Sequence, residues 1–415
     1  MRIAMLTNNY KPFVGGVPIS IERLANALRE LGHEVYVFAP RYGNEEEEPF
    51  VIRYRSRKKK LKGEITVPNI FDSVIKDKFS DLSFDILHVH HPMLVGYVAQ
   101  YLKIKHNIPV VFTYHTRYEH YLHYLKPYDV VERHSNRVKN RIIRSLEKKV
   151  VCRGMENFVT FHNRVFTNHC DLVFAPSSSI RDFLKEQGTI TEVKIIPTGL
   201  VKEDFECDHN KVKSIRDQYL GERDYLFCTV SRLEKEKNIP FLLKGLERFK
   251  ARKGDCFRFL IIGDGSLRSE LMEEAERLGL KDNVVFCGRI DHDKIRNYYG
   301  ACDLFLFASQ SETQGIVLLE AMAQGLPVVS VNASGVCDVV KEGINGYITE
   351  MDVDLWEQRV EQIMDNQHTW KQMKNNAVVE ARNYLSSNIA KRVEGYYKDL
   401  LRYKSEEGVY EKDIV

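Results

Sequence analysis

Two glutamates stand eight positions apart in the segment "SETQGIVLLEAMAQGLPVV". Glu312 precedes an apolar run that predicts a helix beginning near Gly315, and Glu320 lies about a turn and a half inside that helix. The first N–H groups of the helix, those of Gly315, Ile316 and Val317, favour an anion at its N-terminal end, which we call the mouth of the helix. Because two carboxylates would repel that anion, we interpret them as ligands of hydroxyl groups on either flank. A sugar and a ribose joined by a diphosphate, as in a nucleotide sugar, have this shape; capping or surface glutamates are the alternative.

Two cations follow another predicted strand, in the segment "SRLEKEKN". Arg232 and Lys237 lie between the end of that strand and the next helix, whose backbone N–H groups also point outward. A guanidinium fork, an ammonium group and these N–H groups suit a diphosphate. The alternative interpretation is a solvated cluster of charges at a strand end.

Weaker signals occur in three other loops that follow strands. His115 directly follows the strand "PVVFTY", although a core histidine with satisfied hydrogen bonds would look the same. Gly15 and Gly16 in "FVGGVP" would let a backbone approach a phosphate closely, but they do not form the G-x-G-x-x-G dinucleotide pattern. The segment "GDGS", which begins at Gly263, is typical of a turn from a strand into a helix.

Metal-binding patterns are weak in this sequence. The triplets "DHD" at Asp291–Asp293 and "DVD" at Asp352–Asp354 resemble a D-x-D pattern that can bind a divalent ion. Both fall where helices are expected to begin, which makes N-capping the simpler interpretation. We therefore predict no metal site, no tightly bound cofactor and no essential divalent ion.

Short buried strands and helices alternate along most of the chain. The strands "RIAMLT", "DILHVHHP" and "DLVFAPS" are each followed by a helical stretch, the pattern pauses near "KIIPTGL", and it then restarts. This alternation predicts parallel sheets covered on both faces, in two similar doubly wound domains with a boundary near Gly199 and a helical tail from Trp356 to about Tyr403. Ligands of such sheets bind beyond the carboxyl ends of the strands, where the loops described above lie.

Length and composition narrow the class of protein. A chain of 415 residues exceeds one ordinary core, and 43% hydrophobic with 29% charged residues indicates a soluble globular protein. The sequence has no run of about 18 apolar residues, and its N-terminal segment lacks the pattern of a secretory signal. Eight cysteines scattered singly, without a C-x-x-C pair, favour reduced thiols in a cytosol.

Charge is distributed unevenly along the chain. Residues 1–200 contain 30 Lys and Arg against 21 Asp and Glu, whereas residues 201–415 contain 31 against 37. Residues 101–153 alone contain 12 basic and 4 acidic residues. A basic half joined to an acidic half predicts that the first half meets something anionic.

Several of these segments together resemble the retaining family-4 glycosyltransferases of the GT-B fold. The resemblance rests on "GGVPISIERLANALRELGHEVYVFAP", "SRLEKEKN", "GDG", "CGRI" and "SETQGIVLLEAMAQGLPVV", which occur in order over nearly the whole chain. It implies an α/β protein in which two doubly wound Rossmann-like domains face each other across a cleft. The expected divisions are an acceptor-binding, membrane-facing domain over 1–199, a nucleotide-sugar-binding domain over 200–385, and a helical segment over 386–415 that crosses back to the N-terminal domain.

The resemblance also implies roles for individual residues. Glu312 would contact the donor sugar and Glu320 the ribose, while Arg232 and Lys237 would bind the diphosphate. The other implied donor contacts come from five loops: Gly16 next to the phosphates, His115 beside the donor sugar, Gly263 at its turn, Arg289 and Ile290 near the uracil, and Gly315, Ile316 and Val317 at the helix mouth. Catalysis would depend on Glu312, His115, Arg232 and Lys237. Thr198 replaces the asparagine of the family's usual I-P-N-G-V turn, for which we expect only a hinge effect.

Two features resemble the diacylglycerol glucosyltransferases within that family. One is "TYHTRYEHYLHYL", in which Tyr114, Tyr118, Tyr121 and Tyr124 would line the acceptor side. The other is the basic, aromatic first half, which would suit an anionic leaflet; an ordinary solvated basic helix is the alternative. The implied location is the cytoplasm, peripherally at the inner face of the cell membrane.

The expected function is transfer of a hexose, glucose first, from a UDP-sugar to the hydroxyl of a diacylglycerol-type lipid, with the anomeric configuration retained. Transfer to a soluble acceptor, such as a small thiol, an inositol phosphate or a glycan, is an alternative. A nucleotide-sugar-binding protein without turnover is a second alternative, from another class. Nucleic-acid binding through the basic tract Arg53–Lys62 is not expected beside these motifs. The sequence carries no signal for the oligomeric state.

Overall fold

The computed structural model describes residues 1–13, 15–43, 45–60, 66–117 and 141–410. The chain divides into two compact units, each built around its own parallel sheet. Unit 1 comprises Met1–Pro197 together with Ile389–Val415, and unit 2 comprises Thr198–Asn388. Each unit has its own hydrophobic core on the two faces of its sheet.

Unit 1 is built on a parallel sheet covered by helices. Its strands are β1 (Arg2–Leu6), β2 (Glu34–Pro40), β3 (Val51–Tyr54), β4 (Ser56–Lys60), β5 (Thr66–Pro68), β6 (Ile86–Val89), β7 (Val110–Thr113), β8 (Leu172–Ala175) and β9 (Val193–Ile195). Seven of them form one sheet in the order β3-β2-β1-β6-β7-β8-β9, and β4 pairs with β5 in a short antiparallel ladder. Strands β6, β7 and β8 are buried at every residue, as expected when both faces of a parallel sheet are covered. The order reverses between β1 and β6, which opens a crevice at the carboxyl ends of these strands.

The helices of unit 1 pack their apolar sides on this sheet. Those that precede unit 2 are α1 (Gly16–Glu30), α2 (Ser73–Leu82), α3 (Val95–His106), α4 (Arg141–Asn168) and α5 (Ser178–Glu186). Helix α1 begins at Gly16, and Pro18 is tolerated in its first turn because the missing N–H would have no intrahelical acceptor there. Its residues Ile21, Ala25 and Leu28 are buried on one side of the helix.

Unit 2 repeats the same architecture. Its strands are β10 (Tyr225–Val230), β11 (Phe257–Ile262), β12 (Val284–Gly288), β13 (Leu304–Phe307), β14 (Val328–Val331) and β15 (Gly346–Thr349). They form a parallel sheet in the order β12-β11-β10-β13-β14-β15, which reverses direction between β10 and β13. The loops that follow β10 and β13 therefore flank the crevice in which doubly wound sheets bind ligands.

Eight α-helices and two short 3-10 turns complete unit 2. The helices are α6 (His209–Leu220), α7 (Ile239–Lys253), α8 (Arg268–Arg277), α9 (His292–Ala301), α10 (Ile316–Ala323), α11 (Val336–Val339), α12 (Val353–Met364) and α13 (Gln367–Arg382), and the 3-10 turns are Lys202–Phe205 and Lys235–Lys237. Helices α7 and α12 pack closely: a Cβ atom added to Gly245 would lie 2.4 Å from the ring of the fully buried Trp356. This contact explains why a glycine stands in the middle of α7.

The last helix, α14 (Ser386–Tyr410), completes the core of unit 1 from Ile389 onward. Its residues Ile389, Ala390, Val393 and Tyr397 are buried there. The Tyr397 hydroxyl lies 2.7 Å from His88 Nδ1, so the C-terminal segment also joins a polar network of unit 1. Within the described part of the chain, no helix is long and apolar enough to cross a bilayer, and the seven cysteines described are free thiols.

Candidate functional site

The loops after β10 and β13 lie side by side at the reversal of strand order in unit 2. The N–H of Gln310 donates to the carbonyl of Glu236 over 2.9 Å, and the Ser309 hydroxyl donates to the same carbonyl over 3.4 Å. This junction brings Lys237 against Glu312, with Nζ 2.5 Å from Oε1. Their side chains are only 16% and 14% exposed, so the pair is largely withdrawn from solvent, where charge attraction is stronger than in bulk water.

Arg232 belongs to the same loop as Lys237 but reaches further into solvent. Its Nη2 lies 3.2 Å from Glu236 Oε1, and its side chain is 53% exposed. A half-exposed guanidinium can bind a phosphate with two parallel hydrogen bonds, whereas the buried lysine acts as a point charge. The structure thus brings both predicted cations to one loop, in two different environments.

The mouth of helix α10 is shaped by Gly315. This residue is the N-cap and adopts a left-handed conformation with φ 78°, which favours glycine. No side chain among the described residues caps the helix, so Ile316 and Val317 present their N–H groups at an uncapped end that favours an anion. Because Glu312 pairs with Lys237 and is mostly buried, the interpretation of the glutamates as caps or surface residues does not apply to it.

Glu320 is buried within α10 and has a partner that the sequence did not single out as functional. The residue is 6% exposed, and its Oε1 lies 3.2 Å from Nε2 of His292, the first residue of α9. The imidazole itself is 46% exposed at the edge of the site. His292 is the middle residue of the "DHD" triplet. Its spacing from other residues matches no metal-binding or catalytic motif, so the sequence did not indicate a role for it.

Three residues missed by sequence reasoning hold the Glu312 loop in place. The side-chain amide of Gln314, 5% exposed, accepts from the Thr198 N–H at 2.6 Å and donates to the Thr198 carbonyl at 3.0 Å. The Ser334 hydroxyl donates to the carbonyl of Glu312. Gly335 has φ +80°, and a Cβ atom there would lie 2.7 Å from the Cα of Gln314. These contacts join segments far apart in sequence, so periodicity could not have indicated them.

Arg289 and Ile290, the residues expected near the uracil, directly follow Gly288, which contacts Gly263. The Gly263 N–H donates to the carbonyl of Gly288 over 2.8 Å. A Cβ atom at Gly263 would lie 1.9 Å from the carbonyl oxygen of Ser231, at a φ of +134°. Only glycine therefore fits at this turn. Arg289 is exposed, and the adjacent Ile290 is half-buried.

The two acidic triplets begin helices, as predicted, but use their first aspartates differently. Asp352 accepts hydrogen bonds from the N–H groups of Asp354 and Leu355 and so caps α12. Asp291 occupies the N-cap position of α9, yet its carboxylate pairs with Lys294 at 2.6 Å instead of capping the helix. Among the residues that the structure describes, no group of three or more His, Cys, Asp or Glu could hold a metal ion.

Unit 1 gathers histidines at the carboxyl ends of β6 and β7. His90 Nδ1 lies 2.9 Å from His115 Nε2, and the two rings stack with centroids 5.2 Å apart. Burial lowers the pKa of His88 and of His91 to about 3, and burial also lowers the pKa of His90 and His115 well below the usual value. All four imidazoles are therefore neutral near pH 7.

Gly16 is the first residue of α1, the helix that follows β1 in the chain. Leaving aside its two chain neighbours and the backbone of its own helix, a Cβ atom added to Gly16 would meet no atom of the described residues within 4 Å. Unlike Gly263, Gly16 is thus not required by the protein's own packing.

The predicted acceptor-side tyrosines need a correction. Tyr114 is fully buried, and its ring packs on Phe112 and Phe183 in the core of unit 1. It directly follows the buried strand β7 and continues its apolar packing, so we exclude it from the acceptor side. Tyr118, Tyr121 and Tyr124 lie outside the described residues.

Two protein-family models match this chain, one for each part of it. The model described as "Glycosyltransferase Family 4" matches residues 14–203, and the model described as "Glycosyl transferases group 1" matches residues 211–379. This chain is a GT-B glycosyltransferase. The two matched segments of the glycosyltransferase contain the parallel sheets of unit 1 and unit 2, respectively.

Relatives of this glycosyltransferase cover nearly its whole length. It is 29% identical over 415 residues to the alpha-monoglucosyldiacylglycerol synthase of Acholeplasma laidlawii. The alignment covers 97% of this chain and 98% of the relative. The chain is 28% identical over 422 residues to the protein of the same name from Streptococcus pneumoniae, with 97% and 86% covered. Among solved structures, Anabaena Alr3699/HepE in complex with UDP has a TM-score of 0.71 at 18% identity, over 96% of this chain and 100% of that one. At that identity the structural likeness establishes the fold.

Proposed function

We propose that this glycosyltransferase moves a hexose, glucose first, from a UDP-sugar to the hydroxyl of a diacylglycerol-type lipid at a membrane surface, with retention of the anomeric configuration. The observation that carries the proposal is the buried Lys237–Glu312 pair beside the uncapped mouth of α10. The names of the two relatives support glucose as the sugar and a diacylglycerol as the acceptor. The Anabaena neighbour, solved in complex with UDP and with UDP-glucose, supports the nucleotide.

The donor in this proposal lies across the carboxyl ends of β10 and β13. Its diphosphate meets Arg232, Lys237 and the N–H groups at the mouth of α10. Glu312 accepts hydrogen bonds from hydroxyls of the sugar, and Glu320 accepts them from the ribose. The uracil lies against Arg289 and Ile290, next to the turn at Gly263.

The reaction breaks the bond from C1 of the sugar to the phosphate oxygen and forms a bond from C1 to the acceptor oxygen. Negative charge develops on the departing UDP, where Lys237 and Arg232 stabilise it electrostatically, so the proposal does not require a metal. The acceptor hydroxyl attacks from the face that UDP leaves, and the departing phosphate takes its proton. No carboxylate is assigned as a nucleophile, and this route retains the configuration without a covalent intermediate.

An exposed aromatic surface of unit 1 supports the membrane location. Helices α3 and α4 present apolar side chains at helical spacing: Tyr97, Tyr101 and Ile104 on α3, and Phe158, Phe161 and Val165 on α4, with exposures from 38% to 82%. The Tyr97 hydroxyl lies 2.6 Å from Nε2 of His162, which joins the two helices along this α3–α4 face. Exposed apolar groups clustered in this way are typical of an interaction surface.

Cations accompany the aromatic rings of the α3–α4 face. Lys76 Nζ lies 5.0 Å from the ring of Tyr101, and the Arg164 guanidinium lies 5.5 Å from the ring of Phe161. Aromatic side chains beside basic groups match the interface of an anionic leaflet, where each cation contributes about 1 kcal/mol. We therefore propose that the protein acts in the cytoplasm, peripherally at the inner face of the cell membrane, with this face against the lipid.

Product analysis tests the reaction. The purified chain is incubated with UDP-glucose, UDP-galactose and UDP-N-acetylglucosamine, each with dioleoylglycerol in vesicles and with a mixture of soluble thiols, inositol phosphates and oligosaccharides. Mass spectrometry should detect hexosyl-diacylglycerol, and NMR of its anomeric proton should show the α configuration. Hexosylation of a soluble acceptor alone would favour the first alternative. No UDP release with any acceptor would favour a binding protein without turnover.

Vesicle sedimentation tests the membrane surface. We expect the protein to pellet with vesicles of phosphatidylcholine and phosphatidylglycerol but not with phosphatidylcholine alone. The triple variant Ile104→Ser, Phe158→Ser, Phe161→Ser should lose most of this binding. The matched control is Ile344→Ser with Val379→Ser, because these residues of unit 2 are also exposed, at 54% and 64%. Equal binding by both variants would count against the α3–α4 face.

A further inference from the structure

We propose that His90 is a positioning residue that holds His115 in the neutral tautomer with its proton on Nδ1. His115 then offers an N–H donor, not a lone pair, to an oxygen of the bound substrate. The part of this inference that concerns substrate rests on the proposed function, together with the place beside the donor sugar that the family resemblance implies for His115.

The two histidines come from adjacent strands of the unit 1 sheet. His90 directly follows β6, and His115 follows β7 after one intervening residue. Strands β6 and β7 pair in parallel with Val89 opposite Phe112, so both side chains lie at the same edge of the sheet. His90 is 1% exposed, whereas His115 is half-buried.

The contact between the two rings needs one proton. Both imidazoles are neutral near pH 7, because burial lowers the pKa of each. The 2.9 Å contact from His90 Nδ1 to His115 Nε2 therefore has two possible donors. Either His90 donates from Nδ1, or His115 donates from Nε2.

The other nitrogen of His90 distinguishes these arrangements. His90 Nε2 is buried and has no hydrogen-bond partner among the described residues. If His115 were the donor, the single proton of neutral His90 would have to sit on Nε2, as a buried N–H without an acceptor. Orphaned buried N–H groups are rare in folded proteins and are costly, while a bare nitrogen lone pair leaves no donor unsatisfied. The proton therefore lies on His90 Nδ1, and His115 Nε2 accepts it.

This assignment sets what His115 can do. With Nε2 occupied as an acceptor, the single proton of neutral His115 lies on Nδ1, and that nitrogen donates. The oxygens it suits are a sugar hydroxyl or a phosphate oxygen, both of which have lone pairs. In this state His115 orients the nucleotide-sugar substrate or stabilises negative charge that develops on it. Its Nδ1 does not remove a proton from the hydroxyl of the acceptor substrate.

Histidine side-chain NMR tests the tautomer without substrate. The full-length protein is labelled with ¹³C and ¹⁵N histidine, and correlation spectra at pH 7.5 distinguish protonated from bare ring nitrogens. The His115 signals are assigned by their loss in His115→Gln. We expect a protonated Nδ1 and a bare Nε2 for His115. A wild-type spectrum with the His115 proton on Nε2 would overturn the proposal, whatever the variants do.

Two variants of His90 separate positioning from general packing. In His90→Asn the side-chain amide can still donate from about the place of Nδ1, so the His115 tautomer and turnover should be kept. In His90→Leu the donor is lost, and the His115 proton should redistribute toward Nε2. The kcat should fall about three- to tenfold with little change in the KM for the donor, the size of one neutral hydrogen bond. Exposed His209→Gln is the control and should behave as wild type.

The two kinds of readout separate failure of the inference from failure of the proposed function. An Nδ1–H tautomer in a protein without transferase activity would leave the positioning role intact and remove the proposed function. Hexosyl-lipid formation together with an unchanged His115 tautomer in His90→Leu would support the proposed function and remove the positioning role of His90.

Discussion

Lys237 Nζ lies 2.5 Å from Glu312 Oε1, so the proposed ligand of the donor phosphate is paired with the proposed ligand of the donor sugar. These residues are 75 positions apart in sequence, and they meet because the loops after β10 and β13 flank the reversal of strand order. A diphosphate that reaches Lys237 shares the ammonium with Glu312. Binding of the phosphate and binding of the sugar hydroxyls are therefore coupled through one contact.

Replacement of Glu312 should separate catalysis from nucleotide binding. We expect Glu312→Ala to lower kcat by about 10² to 10³, the range for loss of one preorganised group at the reacting centre. The affinity of this variant for UDP should be unchanged or slightly higher, because the substitution removes a carboxylate near the diphosphate. Initial rates and calorimetric titration with UDP measure the two quantities.

A matched ion pair in unit 2 controls for general loss of a surface charge. Lys253 Nζ lies 2.6 Å from Asp365, and Lys253→Ala should leave both kcat and UDP affinity unchanged. Lys237→Ala should lower both. Equal losses of turnover and UDP binding in Glu312→Ala would contradict the sugar role of Glu312.

Replacement of the buried Glu320 should weaken donor binding only through the lost contact with the ribose. We expect Glu320→Ala to raise the KM for UDP-glucose at least tenfold, because a buried carboxylate that accepts two hydroxyls is lost. His292→Ala should raise it about three- to tenfold, since the imidazole only holds one carboxylate oxygen. With a donor that lacks the ribose 2′ and 3′ hydroxyls, both variants should match the wild type.

Lys294→Ala is the control for the Glu320 experiment, because Lys294 lies in the same first turn as His292 but pairs with Asp291. It should not change the KM for either donor. Continued discrimination between wild type and Glu320→Ala with the dideoxy donor would exclude the ribose role.

Gly16→Ala should lose activity without losing stability. An added Cβ atom there would meet none of the described residues within 4 Å apart from its chain neighbours and its own helix backbone, so the melting temperature should stay within about 1 °C of wild type. If the donor phosphates lie against this backbone, the methyl group should lower kcat/KM at least tenfold. Differential scanning calorimetry and initial rates measure the two effects.

Gly395→Ala provides the comparison for Gly16→Ala. Gly395 is exposed within α14, and beyond its own helix an added Cβ atom there also meets none of the described residues within 4 Å. That variant should be slightly stabilised, by about 0.5–1 kcal/mol, and fully active. Full activity of Gly16→Ala would remove Gly16 from the donor site.

The buried histidines of unit 1 should make the fold sensitive to mild acid. His88 and His91 have a pKa of about 3 in the folded protein against 6.5 as the ordinary value, so the unfolded chain binds more protons between these pH values. Their contribution to stability is complete above about pH 6.5 and is lost progressively as the pH falls toward 3. The loss is about 1.4 kcal/mol per pH unit for each histidine.

Urea unfolding followed by circular dichroism at pH 7 and pH 5 measures this loss. We expect the transition to move to lower urea at pH 5 in the wild type and to move less in His91→Gln. His209→Gln, an exposed control, should show the wild-type shift. Identical shifts in all three proteins would mean that His91 is not a neutral buried group.

Much of the architecture was predictable because it depends on local patterns. Buried runs such as "FRFLII" alternate with amphipathic stretches, which is enough to predict parallel sheets covered by helices. The rule that ligands bind beyond the carboxyl ends of parallel strands then predicted a site in the loops of Lys237 and Glu312. The helix that begins near Gly315 was also predictable from a local feature of the sequence, its apolar run.

Contacts between distant segments could not be predicted in this way. Tyr114 looked like an acceptor-side residue beside His115, yet it is a core residue, since the direction of a side chain after a strand depends on what covers the sheet there. The pairing of Gln314 with Thr198, of Glu320 with His292 and of His90 with His115 joins elements that only folding brings together.

The sequence by itself determined the family, the alternation of strands and helices, and the chemical types of the residues that follow β10 and β13. Periodicity and motif spacing are short-range properties, so they can be recognised without coordinates. Only the tertiary structure decided which acid meets which cation, which histidine is half-buried and which tyrosine is core. Those outcomes depend on distances of a few ångströms between segments that are far apart along the chain, and packing of the whole unit sets such distances.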